Sequence, residues 1–269
     1  MQNPRIHGKP PLRVAVLHGG PGALGGMAPV ARELAAGHGV LEPIQRADSI
    51  AGQVEELRGA IVDRGSPPLV LIGSSWGAML GFIFSARHPE LVRKLILVGS
   101  GVYEEASAAR IQETRVSRLS HEEQQLAETL AETLDDPAAS DKDRVLARLG
   151  GLMTKADAYD PAALDTEAPE CSFPIHRAVW SEAQELRRSG ELLGLAPQIR
   201  CPVVAIHGDY DPHPAEGIQS PLSSAVNDFR FILLKNCGHL PWIERQAKDE
   251  FFALLRRELQ ESLPRTECP

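Results

Sequence analysis

The stretch LVLIGSSWGAML, Leu69 to Leu80, decides the reading of this chain. Leu69 to Ile72 are β-branched or bulky apolar residues in unbroken succession, the pattern of a buried strand. Ala78 to His88 carries apolar residues at helical spacing. Between them lie Gly73, Ser74, Ser75, Trp76 and Gly77, where a packed core would want bulk. A serine hydroxyl is a poor nucleophile unless a base removes its proton, and it must stand clear of the backbone to reach a carbonyl. A tight strand-to-helix turn flanked by glycines achieves the second condition, with Ser75 at its tip. The plainer alternative is an ordinary loop in which the serines and glycines only turn the chain.

Outward from this stretch the same rhythm recurs. Short apolar runs start at Leu12 (LRVAVLH), Val40 (VLEPI), Lys94 (KLILVGS), Pro202 (PVVAIHG) and Phe229 (FRFILLK), with Leu69 making six. Helical patterns fall over Met27 to Ala36, Ile50 to Arg64, Ala78 to His88 and Pro241 to Leu259. Strands alternating with helices predict an α/β fold with a mostly parallel sheet of about six strands. Because the strands are apolar at successive positions, both faces of the sheet should be covered by helices. From Tyr103 to Pro197 the rhythm stops and the composition turns to Ala, Glu, Arg, Leu and Gln. We read residues 1–102 and 198–269 as one core and 103–197 as a helical insertion after the fourth strand. Ser120 with Glu123 predicts a capping box opening one helix of the insertion, and Asp160 with Pro161 the start of another.

Bulk properties narrow the function. The 269 residues suffice for one large α/β domain with an insertion. A net charge of −8 without a basic cluster argues against a nucleic-acid partner. No apolar stretch approaches the roughly 18 residues of a membrane span. The N-terminal residues before Leu12 lack the apolar core of a secretion signal, which predicts a cytoplasmic location. Cys171, Cys201, Cys237 and Cys268 are too scattered for a zinc site or a disulfide scaffold and read as reduced thiols. Cys237 stands near His239, but residues two apart on a loop rarely orient as a nucleophile and its base.

Three further motifs lie after strands. HGGPG, His18 to Gly22, has small residues that let a backbone amide approach a developing oxyanion, and Gly20 and the amide of Trp76 are the candidate donors. As a phosphate loop it has the wrong spacing, since neither Gly-Lys-Ser/Thr nor Gly-x-Gly-x-x-Gly follows. AIHGDYDPHP, Ala205 to Pro214, supplies an acid to orient a histidine: Asp211, farther beyond the strand end, is preferred, and Asp209 is the alternative. His207, Asp209, Asp211 and His213 also alternate like metal ligands, but no further cluster completes a coordination sphere, so no metal is expected. KNCGHLPWIER, Lys235 to Arg245, holds His239 between a glycine and Leu-Pro-Trp. His18 and His207 read as residues that tie loops together, and His88 as a helix C-terminal residue. The chain order is then Ser75, Asp211, His239.

Through HGGPG, GSSWGAML, ARHPELVRKLILVGS, HGDYD and CGHLPWIE the chain resembles the α/β-hydrolase family, and within it the proline iminopeptidase branch. The resemblance covers Leu12 to Gly101 and Pro202 to Leu259. It implies a Ser75–His239–Asp211 triad, an acyl-enzyme intermediate in the cleavage of a small ester or amide, no cofactor, and a lid formed by the insertion. It departs from the branch in two places. Only about a dozen residues precede the first strand, where members usually carry a β-hairpin, and Glu42 to Gln53 replaces the usual Asp-x-Arg-Gly-x-Gly-x-Ser stretch. The branch also implies lid residues that receive a free amino group, for which Trp180, Glu182 and Glu185 are candidates; His213 and Trp180 would flank the substrate. An esterase, an acyltransferase, a carbon–carbon bond hydrolase or a non-catalytic ligand-binding protein could use the same scaffold.

Overall fold

The computed structural model describes residues 3–162 and 170–263. Its main sheet has seven strands: β1 Arg5–His7, β2 Leu12–Leu17, β3 Gly39–Glu42, β4 Leu69–Ser74, β5 Val92–Val98, β6 Val203–Gly208 and β7 Phe229–Leu234. Their order is β1-β3-β2-β4-β5-β6-β7. The six strands expected from apolar runs are all present and mutually parallel. The seventh, β1, is antiparallel and lies along β3, with Ile6 opposite Leu41. Three residues between Pro4 and Gly8 carry too short a pattern to register as a strand. Their strand character comes from the free edge of β3.

Alternate residues of each strand enter opposite cores. Val14, Val16, Val70, Ile72, Ile96 and Val98 pack with α1 (Ala28–Leu34) and α10 (Lys248–Ser262). Ala15, Leu17, Leu71, Leu95 and Leu97 pack on the other face with α2 (Ile50–Arg64), α3 (Trp76–Arg87) and α9 (Glu216–Ala225). This double burial is why the strands read as continuous apolar runs. Residues Trp76 to Ala86 of α3 are all buried. Such a helix has no polar face and belongs between layers. Helix α2 covers the predicted Ile50–Arg64, and its first turn is capped by Ser49, whose hydroxyl accepts from Gly52 N at 3.1 Å. The last predicted helix is divided, with a 3-10 turn at Pro241–Ile243 before α10.

Between β5 and β6 the chain runs through α4 (Glu105–Ser117), α5 (His121–Asp135), α6 (Lys142–Asp157), α7 (Phe173–Arg188) and the short α8 (Glu191–Gly194). The capping box of Ser120 and Glu123 opens α5. Pro161 pairs in an isolated bridge with Glu244 instead of beginning a helix by itself; the remainder of that expected helix, like Cys268, lies outside the described residues. The chain adds β3 on one side of β2 and then β4 on the other, so the winding reverses at β2. Sites in open parallel sheets form beyond the carboxyl ends of strands at such a reversal. HGGPG leaves β2 and Ser75 leaves β4 at that point.

Candidate active site

Ser75 follows β4 and has φ 52° and ψ −115°, a conformation costly for a residue with a side chain. Its amide donates to Val98 O at 3.0 Å, which fixes the turn to β5. The glycines on either side are dictated by close approach. A Cβ on Gly73 would strike the carbonyl of Gly77, and one on Gly77 would come within 2.6 Å of the His18 carbonyl oxygen. Both allow α3 to leave the sheet directly above β2 and β4. The next residue, Trp76, opens α3, and the first amides of a helix have no acceptor within it. Its buried indole donates to Gln53 Oε1 at 2.9 Å, and Gln53 Nε2 donates to Ala47 O at 3.0 Å.

The HGGPG loop lies beside this turn. A Cβ on Gly19 would sit 3.1 Å from Ser75 Cβ, so Gly19 is in direct contact with the serine. Gly20, the sequence candidate, is one residue on, in a left-handed turn closed by Ala23 N donating to Gly20 O at 2.7 Å. His18 anchors the loop. Its Nε2 accepts from Gln45 N at 3.2 Å, which leaves Nδ1 protonated and donating to Gly19 O at 3.0 Å. Burial lowers its pKa to about 4; the Gly19 bond works weakly against this shift and the charge of Arg5 adds weakly to it. The insertion meets this loop: Ser172 N donates to Gly22 O, His176 Nδ1 lies 3.1 Å from Pro21 O, and Glu170–Cys171 pairs with Ala23–Leu24.

The two acidic candidates part company. Asp211 Oδ2 accepts from His239 Nδ1 at 2.7 Å, while Oδ1 accepts from His213 N at 2.9 Å and from His213 Nδ1 at 2.8 Å. Asp209 instead accepts from Cys237 N at 3.3 Å and lies 3.6 Å from Lys235 Nζ. Gly99, with φ 49°, makes room for the Asp211–His239 pair, since a Cβ there would reach 3.1 Å from His239 Nδ1. Nothing in the sequence singled out Gly99 beyond its place after a strand.

The electrostatics follow from this packing. Burial opposes the charge on Asp211, but His239, His207 and His213 around it hold its carboxyl well below the ordinary carboxylate range. Burial likewise works to lower His239, yet the charge and hydrogen bond of Asp211, with Asp157 behind, keep its imidazole above 6.5. Burial brings His213 down to about 4 despite Asp211. Burial and then the neighbouring Glu244 and Asp211 push the Cys237 thiol upward, and its Sγ donates to Gly238 O at 3.4 Å. That thiol has none of the thiolate character a nucleophile needs. Asp211, His213 and His239 bring three donor atoms within 4.8 Å of one another. The Nδ1 of each imidazole faces its own Asp211 oxygen at hydrogen-bond distance, so these three atoms form a hydrogen-bonded network.

The loop carrying His239 is fastened to the end of α6. His239 N donates to Asp157 O at 3.0 Å, and Arg115 grips the Asp157 carboxylate at 2.7 and 2.6 Å. Glu244, fully buried, accepts from Gly238 N, Tyr159 N and Asp160 N at 2.8 to 2.9 Å. Sequence reading passed over Glu244, because a buried carboxylate serving backbone amides has the same appearance as a surface one.

A family model described as "Alpha/beta hydrolase family" matches residues 14–254. The chain belongs to the α/β-hydrolase family. No curated protein sequence matches it. Among solved structures, VinJ is similar with a TM-score of 0.69 at 19% identity, covering 97% of this chain and 95% of that one. The proline iminopeptidase of Mycobacterium smegmatis has a TM-score of 0.62 at 18% identity, covering 96% and 94%. The monoacylglycerol lipase of Paleococcus ferrophilus has 0.63 at 17%, covering 98% and 100%. Peptidase and lipase stand at comparable distance, so the branch of this α/β-hydrolase is not fixed by its fold. No helix among its described residues is long and apolar enough to cross a membrane.

The four substrate-side candidates are placed as follows. His213 lies against Asp211 and stacks on His239, with ring centroids 4.5 Å apart. Trp180 is on α7, stacked on His176 at 6.4 Å. Glu182, also on α7, has Oε2 accepting from Ile50 N at 2.9 Å, so it caps α2. Glu185 is paired with Arg188.

Proposed function

We propose that the enzyme cleaves a small ester by acyl transfer through Ser75, His239 and Asp211. The observation that carries this is the 2.7 Å contact of His239 Nδ1 with the buried Asp211 carboxylate, at the sheet edge where Ser75 holds a strained turn. With Nδ1–H donating to Asp211, the neutral imidazole keeps its lone pair on Nε2, the atom that would take the Ser75 proton. Ser75 then attacks the carbonyl, and the amides of Gly20 and Trp76 receive the oxyanion. The imidazolium returns its proton to the leaving group, and water releases the acyl group by the same route. The insertion acts as a lid over this core, with Trp180 on the substrate side; His213 is taken up by Asp211 and His239 instead. The buried thiols Cys201 and Cys237 support a cytoplasmic location.

An aminopeptidase of the proline iminopeptidase type is the second reading, supported by the motifs and by the structural likeness to that enzyme. It needs a carboxylate to receive a free amino group. Glu182 is engaged with Ile50 N and Glu185 with Arg188, which favours the ester. The test is a panel of aryl esters beside prolyl and other aminoacyl arylamides, run on wild type and Ser75→Ala, with fluorophosphonate labelling of the serine. We expect ester turnover that Ser75→Ala reduces by about 10³-fold or more with the fold intact. Equal rates in the two proteins would refute the nucleophile, and faster arylamide turnover would restore the peptidase.

A further inference from the structure

Asp211 serves two histidines, and the triad uses only one. Its Oδ2 belongs to His239, whereas Oδ1 receives both the backbone N–H and the imidazole Nδ1–H of His213, at 2.9 and 2.8 Å. The second imidazole is held as firmly as the first. Pro212 and Pro214 flank it and restrict its backbone. His207 Nε2 donates to the His213 carbonyl at 2.8 Å. The residue is only 7% exposed, and its ring lies on His239 with 20° between their planes.

We propose, resting on the hydrolase reading above, that His213 is a positioning residue for the reaction: its Nδ1–H fixes the Asp211 carboxylate and its ring walls His239 into the orientation that receives the serine proton. A carboxylate held through one oxygen alone can rotate about its Cβ–Cγ bond, and the imidazole bound to the other oxygen follows it. Two donors on Oδ1 lock the plane. The ring must also be neutral, because turnover creates an imidazolium on His239 and a second cation 4.5 Å away would oppose it. Burial secures that neutrality, with His213 titrating at about 4. Loosening a catalytic group by about 1 Å can cost roughly 10²-fold in rate without weakening substrate binding.

Two variants of the full chain separate the parts. His213→Phe keeps a stacked ring and removes the donor; His213→Asn returns an N–H near the Nδ1 position and gives up most of the ring. Steady-state hydrolysis of p-nitrophenyl acetate gives kcat and KM, and thermal melts establish that each variant is folded. Proton NMR reads the low-field resonance expected of the His239 Nδ1–H bound to Asp211. We expect His213→Phe to lower kcat by about 10- to 100-fold with KM within about threefold, and its low-field resonance to broaden or move upfield. His213→Asn should recover most of the lost kcat. A folded His213→Phe with wild-type kcat and an unchanged resonance overturns the proposal while leaving the triad standing. A His213→Asn no better than His213→Phe overturns the donor role. Should His213→Phe not fold, His213→Asn alone decides, since a resonance and a kcat both lost despite the restored N–H contradict it. A wild type that neither hydrolyses the ester nor labels at Ser75 ends the hydrolase reading and this proposal with it.

Discussion

Lowering the pH from 8 to 5 should weaken the fold through His18, a side chain that has no room for a second proton. Its Nε2 is the acceptor for Gln45 N–H and its Nδ1–H is bound to the Gly19 carbonyl. An imidazolium would set two N–H groups against each other inside a fully buried site. The pKa falls from 6.5 to about 4 in the folded chain. The unfolded chain therefore takes up the proton first, and the stability His18 contributes is complete above about pH 6.5 and is lost as the pH falls toward 4. At pH 5 the loss is 2.303RT multiplied by the interval from 6.5, about 2 kcal/mol; below 4 it reaches about 3 kcal/mol. Against a total stability of roughly 5 to 15 kcal/mol this is measurable. The assay is urea denaturation of wild type and His18→Gln at both pH values, read by tryptophan fluorescence. Glutamine offers an amide oxygen and an N–H to the same two partners and does not titrate. Other groups cancel in the comparison, so wild type should lose about 2 kcal/mol more than the variant. Equal losses would refute the reasoning, as would a His18 resonance titrating near 6.5.

The acid of the site is tested by Asp211→Asn, which should cost about 10³- to 10⁴-fold in kcat/KM, while Asp209→Asn stays within about fivefold; the reverse order would transfer the role to Asp209. Ester hydrolysis should require neutral His239, whose pKa Asp211 and Asp157 raise against burial and against the opposing charge of Arg115. The rate should then fall tenfold per unit as the pH drops through a midpoint above 6.5, and a pH profile of kcat/KM with its acid limb well below 6.5 would contradict this.

The sequence carried the layered architecture because burial leaves a local trace: six strands written as mostly apolar runs, with helical patterns between them. It also carried the serine turn, since Gly73 and Gly77 record steric limits that any observer of the chain can read. It was silent on β1, whose three residues become a strand only against β3. It was equally silent on Glu244 and Gln53, whose polar groups look like surface groups until the fold surrounds them. Motif spacing left Asp209 and Asp211 as rivals, because both follow the same strand at nearly the same height.

What the chain determined alone was the set of parts and their order, for strand, turn and helix preferences act over a few residues. What the tertiary structure decided was which parts meet. Asp211 and His239 are 28 residues apart in sequence and come within 2.7 Å because β6 and β7 run side by side and Gly99 leaves space between them. The same convergence set His213 on the shared carboxylate and turned Glu182 toward the end of α2. Hydrogen bonds are made across space, and no local pattern records a partner that only folding brings near.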